Sequence, residues 1–141
     1  KEAAEVAAAE AKREQMRRVR ALIFQLKDRV QDTRDHAVRF VVPGTVLDVD
    51  NSEAAYKVCW GAKVFVVRQT GAPGSVRSVN LGLDSIAKLL THVLGMTNAE
   101  LVEAQSLYGQ HFHECGRCGS PLSDDDSKAR GLGPDCARKG L

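Results

Sequence analysis

Apolar residues recur along the first part of the chain at a helical period. Met16, Val19, Ile23, Leu26 and Val30 follow a 3-4-3-4 spacing that sets all five on one stripe. The Ala-rich segment 3–11 before them favours the same conformation. The spacing predicts a helix to about residue 35. Extended forward the stripe meets Thr33 and Ala37, and backward Lys12, so a strict seam lasts barely two heptads. A coiled coil needs about three or four. The stripe is therefore expected to face the chain's own sheet or another protein.

The period then changes from helical to alternating. Val38, Phe40 and Val42 share one strand face, Pro43-Gly44 makes a turn, and Thr45-Val46-Leu47 is expected to resume a strand. Two further runs, Ala55 to Trp60 and Lys63 to Gln69, flank Gly61-Ala62, and the turn-rich 71–75 leads into Val76 to Leu81. These runs predict three or four antiparallel strands in a meander. Helical spacing returns with Ile86, Leu89, Leu90, Val93 and Leu94, opened by Asp84 and ended by Gly95. Thr97 and Glu100 form an S/T-x-x-E capping box for a second, short helix through Leu101, Val102 and Leu107, which delivers the chain to Tyr108-Gly109.

The whole predicts an α+β chain in three parts: an amphipathic helix over 1–36, a small α+β domain over 37–110, and a metal-binding module over 111–141. The length of 141 residues excludes two full-sized enzyme domains. With 43% hydrophobic but only 5% aromatic residues, the core is expected to be modest. No apolar run reaches the roughly 18–20 residues that span a bilayer, and no secretory signal pattern is present. A soluble cytoplasmic protein is expected, with no membrane partner. The chain opens on Lys1 rather than Met, as expected of a processed chain or an excerpt.

Charge changes the picture locally. The net charge of +2 arises entirely within 1–36, where Lys12, Arg13, Arg17, Arg18 and Arg20 face only Glu14. Such a cluster suits phosphate contacts, and equally a solvated helix face. Between 54 and 83 there is no acid, and Lys57, Lys63, Arg68 and Arg77 alternate with Tyr56, Trp60 and Phe65. Bases stack on rings while cations meet phosphates, so this stretch reads as a candidate nucleic-acid surface. A half-buried hairpin would use the same aromatics for its core. No nucleophile–base pair, phosphate loop or small-molecule site is legible, so an enzyme is not expected.

The carboxyl end carries the chemistry. Cys59 stands alone in a strand and reads as a small buried apolar residue, whereas Cys115, Cys118 and Cys136 lie close together. Cys115-Gly-Arg-Cys118-Gly119 has the spacing of a zinc knuckle. Pro134 suits the first position of a helix, which puts Cys136 in its first turn, where a thiolate is favoured. A disulfide framework lacks a secretory context, and thioredoxin-like chemistry lacks its βαβ unit. Zinc is the expected cofactor, with an iron–sulfur cluster as the alternative. The tail, with Leu122, Leu132 and Leu141 as its main aliphatic residues, buries too little to fold alone. Structural zinc supplies on the order of 10–16 kcal/mol. The fourth ligand stays open among His113, His111, Asp124 and Ser127, a water or a partner's side chain. The expected fold of this tail is treble-clef-like or ribbon-like.

Taken together, Tyr108-Gly109, Cys115-Gly-Arg-Cys118-Gly119, Pro121-Leu122-Ser123-Asp124, Ser127 and Gly131-Leu-Gly-Pro134-Asp-Cys136 resemble a family of uncharacterised carboxyl-terminal modules of actinobacterial phage and plasmid proteins. Its pattern is Cys-x-x-Cys-Gly-Arg-x-Leu-Thr-Asp-Pro-x-Ser followed by Gly-Ile-Gly-Pro-x-Cys. Ser123, Asp125 and Leu132 depart from it mildly. The resemblance implies a metal-binding module of unknown activity. Its members lack histidines between Tyr-Gly and the first cysteine, which favours Asp124, Ser127 or an exogenous ligand over His111 and His113. The expected function is a zinc-binding accessory protein of a phage or mobile element that associates with nucleic acid through its basic helix and sheet. The alternative is a protein-interaction module that docks on a host protein through the amphipathic helix.

Overall fold

The computed structural model describes residues 1–30 and 35–139. Thr33 and Leu141 lie outside the described residues, and Asp35, the expected end of the first helix, is in a turn. Helix α1 spans Glu2–Val30, and its apolar stripe meets the rest of the molecule only in its second half. Val19, Ile23, Leu26 and Val30 are buried. Met16, expected on the same buried stripe, is 52% exposed because the helix has by then passed the edge of the body.

Strands β1 (Ala37–Pro43), β2 (Glu53–Trp60), β3 (Val64–Ala72) and β4 (Ser75–Asn80) form one antiparallel sheet in sequence order. Every strand pairs with its chain neighbour, as the Gly-containing turns between them require. Register sorts the side chains by face. Phe40, Tyr56, Arg68 and Val79 lie in one cross-strand row, and Arg39, Lys57, Val67 and Asn80 in the adjacent row on the other face.

The predicted strand at 45–47 is instead a 3₁₀ turn, Gly44–Leu47. The loop folds back on itself: Gly44 donates to the Ser52 carbonyl at 2.9 Å and Val49 to the Gly44 carbonyl at 2.8 Å. A Cβ on Gly44 would overlap the carbonyl of Asn51, so only glycine permits that approach. Val46, Leu47 and Val49 then plug the core from a loop, which strand-like alternation alone does not distinguish.

Helix α2 (Leu83–Leu94) follows, then α3 (Asn98–Phe112). The capping box forms as expected, with Glu100 N–H to Thr97 Oγ1 at 3.1 Å and Thr97 N–H to Glu100 Oε1 at 2.9 Å. Helices α1 and α2 cover the first sheet face and close the main core around Phe40, Tyr56, Trp60, Leu89 and Leu90. Helix α3 is longer than the short helix predicted. Its first half contributes Leu101 and Ala104 to the main core, and its second half sets Tyr108 and Phe112 against Val41 and Ala55 on the other face. Both faces of β1 are thereby buried, which explains its run of six buried residues. Among the described residues no helix is long and apolar enough to cross a membrane.

Candidate metal centre

After α3 the chain reverses at His113, which adopts left-handed φ 58° as the helix cap. A knuckle follows. Glu114 and Pro121 form an antiparallel bridge, Leu122 donates to the His113 carbonyl at 2.9 Å, and Gly119 donates to the Cys115 carbonyl at 2.8 Å. The turn points Cys115 and Cys118 to one side. Helix α4 (Asp125–Arg130), capped by Asp124 and ended by left-handed Gly131, carries the chain back to α5 (Pro134–Lys139). Pro134 opens α5, so Cys136 sits in the first turn as expected. Knuckle and helix together give the treble-clef-like arrangement.

The three sulfurs Cys115, Cys118 and Cys136 lie within 4.8 Å of one another, and among the described residues no imidazole or carboxylate joins them. Thiolates at 2.3 Å from a tetrahedral zinc would stand about 3.8 Å apart, a small contraction of the observed group. All three are free thiols. Cys115 is fully buried and accepts from Gly133 N–H at 3.4 Å, while Cys118 Sγ lies 3.3 Å from Ser120 Oγ. The Gly133 N–H aimed at Cys115 suits a thiolate site, since a metal-bound sulfur is an acceptor only. Burial, Cys115 and Cys118 push the Cys136 thiol up to about 12 when no cation offsets them. The α5 amino terminus does not overcome that crowding; a divalent metal does. Burial also opposes ionisation of Cys118, but Ser120 and the neighbouring thiols outweigh it and hold that thiol below its ordinary value.

The candidates for a fourth ligand are placed differently. His111 belongs elsewhere: its Nε2 lies 3.1 Å from the Gly71 carbonyl, its ring stands edge-on to Phe112 at 4.4 Å, and it lines a cleft of about 560 Å³ with Asn51, Arg68 and Gln69. His113 holds the α3 terminus through its backbone. Asp124 accepts from Ser127 N–H at 3.0 Å, and the buried Ser127 Oγ accepts from the Arg130 guanidinium at 3.2 Å. Asp124 and Ser127 share with Cys118 and Cys136 the walls of a cleft of about 320 Å³. Cys59, buried in β2, stands apart from the three, and burial raises its thiol.

The module is fastened to α3 at backbone distance. A Cβ on Gly109 would overlap the Gly131 carbonyl, one on Gly116 the Gln105 carbonyl, and one on Gly131 the Ser106 carbonyl. Gly116 N–H donates to the Gly131 carbonyl at 3.1 Å, and Ser106 Oγ donates to the Arg130 carbonyl. The Tyr-Gly at 108–109 is thus a docking feature: the phenol donates to Gln69 on the sheet and the glycine admits the tail. Arg39 completes the junction. It is 4% exposed, pairs with Asp35, and lies under left-handed Gly119 (φ 78°), where any Cβ would strike its guanidinium. Burial opposes its charge, yet Asp35, with Tyr108 and Glu114, more than compensates and raises its pKa. Sequence reasoning missed Arg39; the available signal was a charge alternating with Val38 and Phe40.

The basic candidates do not form one surface. Arg13, Arg17 and Arg20 fall on an exposed stripe of α1 that continues through Phe24 to Lys27, again at 4-3-4-3 spacing. Arg20 and Lys27 each lie 5.4 Å from the Phe24 ring centre. Arg18 projects from a different side of the helix. On the sheet, Lys57 lies on the α3 face beside Arg39, whereas Arg68 and Arg77 lie on the opposite face, and Lys63 sits in the β2–β3 turn. Tyr56 and Trp60 are core residues, which leaves Phe65 as the exposed ring of the three.

Residues 105–139 match a family of unknown function (DUF6011). The match covers about a quarter of the chain, and it begins inside α3, so the similar segment is the docking half of that helix together with the tail. No curated protein and no solved structure matches the chain.

Proposed function

We propose that the protein is a zinc-stapled accessory protein that associates with duplex nucleic acid through α1. Three thiolates on a knuckle and a helix terminus suit tetrahedral zinc, and the tail's dependence on α3 suits a structural rather than a catalytic ion. When bound, zinc supplies cohesion to the tail. The observation that carries the nucleic-acid reading is the row Arg13, Arg17, Arg20, Lys27, exposed cations on one helix face of which Arg17 alone, among the described residues, pairs with an acid, Glu14. Such a line meets phosphates and reads no bases. With Tyr56 and Trp60 inside the core, little aromatic surface remains for stacking unpaired bases, so duplex is favoured over single strands.

The test is fluorescence anisotropy on labelled duplex and single strands across a salt series. About four phosphate contacts give a slope of log K against log salt of roughly −3 to −4, and each charge reversal among the four residues removes about 0.9 of it. Binding that ignores salt, or that survives reversal of all four, overturns the reading. A protein partner is the second reading, favoured by a groove of about 380 Å³ whose lining includes Met16, Val19, Ile23, Leu83 and Ile86 beside Arg13, Arg17 and Arg20. A partner lost on Met16→Asp but kept when Lys27 is reversed would support it.

A further inference from the structure

We infer that the fourth position of the metal centre is exchangeable and opens on the 320 Å³ cleft, where it takes an uncharged donor from outside the chain: water in the isolated protein, an imidazole-type nitrogen when one is supplied. The inference rests on the metal reading above and not on the nucleic-acid one.

The three sulfurs are unequal in their surroundings. Cys115 is sealed, with Gly133 N–H against it, while Cys118 and Cys136 are half-buried and form part of the cleft wall. A metal held by all three is therefore reached from the cleft side. The chain's own candidates are engaged: Asp124 as the α4 cap, Ser127 with Arg130, His111 with the Gly71 carbonyl across α3. His113 does not line the cleft. Volume favours an external donor, since the cleft is about ten times the roughly 30 Å³ share of one water and admits a five-membered ring.

Charge selects the kind of donor. A divalent ion with three thiolates carries one net negative charge. The cleft lining holds Asp124 and Asp135 as well as Arg117 and Lys139, two charges of each sign, with Asp135 paired to Arg138. An uncharged nitrogen or oxygen adds no repulsion. A zinc with three protein ligands and an open fourth corner also has the coordination of an ion that exchanges its water.

The experiment replaces the native metal with cobalt(II) in the full chain and follows its d–d and thiolate charge-transfer bands. Added imidazole is expected to shift the d–d bands saturably, with the thiolate bands retained. Asp124→Asn, which preserves the cap, and His113→Gln are expected to leave the bands unchanged. They should alter metal affinity by less than about threefold, against the roughly 10–100-fold that loss of even an outer-shell partner brings. Bands that ignore imidazole overturn the inference. So does a spectrum changed by either variant, which would assign the fourth ligand to that side chain. Failure to bind cobalt at all would remove the metal reading with it, whereas a closed four-ligand spectrum would remove the inference alone.

Discussion

Residues 16–104 and residues 113–137 bury their chain by different means. In the body, α1, α2 and one sheet face enclose a continuous apolar cluster that runs from Val19 to Ala104. In the tail, Cys115, Leu122 and Leu132 are the buried cluster, with Val102 of α3 and the other two cysteines packed against it. A body of that size is held by the hydrophobic effect. The tail brings together three cysteines, two short helices of which Asp124 caps the first, and glycines that bring its backbone onto α3. The difference teaches that a small module can be specific in sequence while having almost no core, where close backbone approaches and, on the proposed metal reading, three ligands supply its cohesion.

Metal removal is the strongest way to break the comparison. Chelation, or Cys136→Ser, is expected to withdraw an interaction on the order of 10–16 kcal/mol and to release residues from about 113 to 139, with the last turn of α3, while the sheet, α2 and the second half of α1 stay protected. Hydrogen exchange reads this directly, and loss of protection throughout would make body and tail one cooperative unit. Next in size, Leu90→Ala in the main core is expected to cost about 2–5 kcal/mol in urea denaturation of the metal-loaded protein, with metal content unchanged.

Gly109→Ala sharpens the contrast. On helix propensity alone alanine gains about 1 kcal/mol, yet here its Cβ meets the Gly131 carbonyl, so a loss of at least about 2 kcal/mol is expected, accompanied by weaker metal binding. A further effect is with pH. Burial pushes the Tyr108 phenol up to about 12 against the lowering pull of Arg39. An acid whose folded value is raised stabilises the fold fully below its unfolded value near 10. That contribution is lost as pH rises from about 10 to 12. Spectrophotometric titration should show Tyr108 ionising late, with the α3–sheet junction loosening in the same interval.

The sequence made the repeating elements legible and left the junctions obscure. The α1 stripe apart from Met16, the strand alternation apart from 45–47, the Thr97–Glu100 box and the knuckle rest on local spacing and form where spacing puts them. The 3₁₀ turn at Gly44–Leu47 was hidden because its apolar residues are buried by a loop that closes on Asn51 and Ser52, a non-local event. The length of α3 was hidden because Gly109 reads as an end signal, whereas it is a contact point within the helix. The three cysteines were legible as a set, but the separation of Lys57 from Arg68 and Arg77 needed strand register. The burial of Arg39 under Gly119 depends on how the knuckle docks on the sheet, a non-local contact that residue spacing does not carry.

The meander has a consequence for the order of assembly during synthesis. Each strand finds its partner in the segment just made, and α2 and α3 close over a sheet that already exists, so the body relies on pairings that form early. Cys136 emerges after everything it must join. The docking surface on α3, with Gly109 already in place, is complete before the last cysteine arrives, so on the proposed metal reading capture of the ion would be the final event on a finished template.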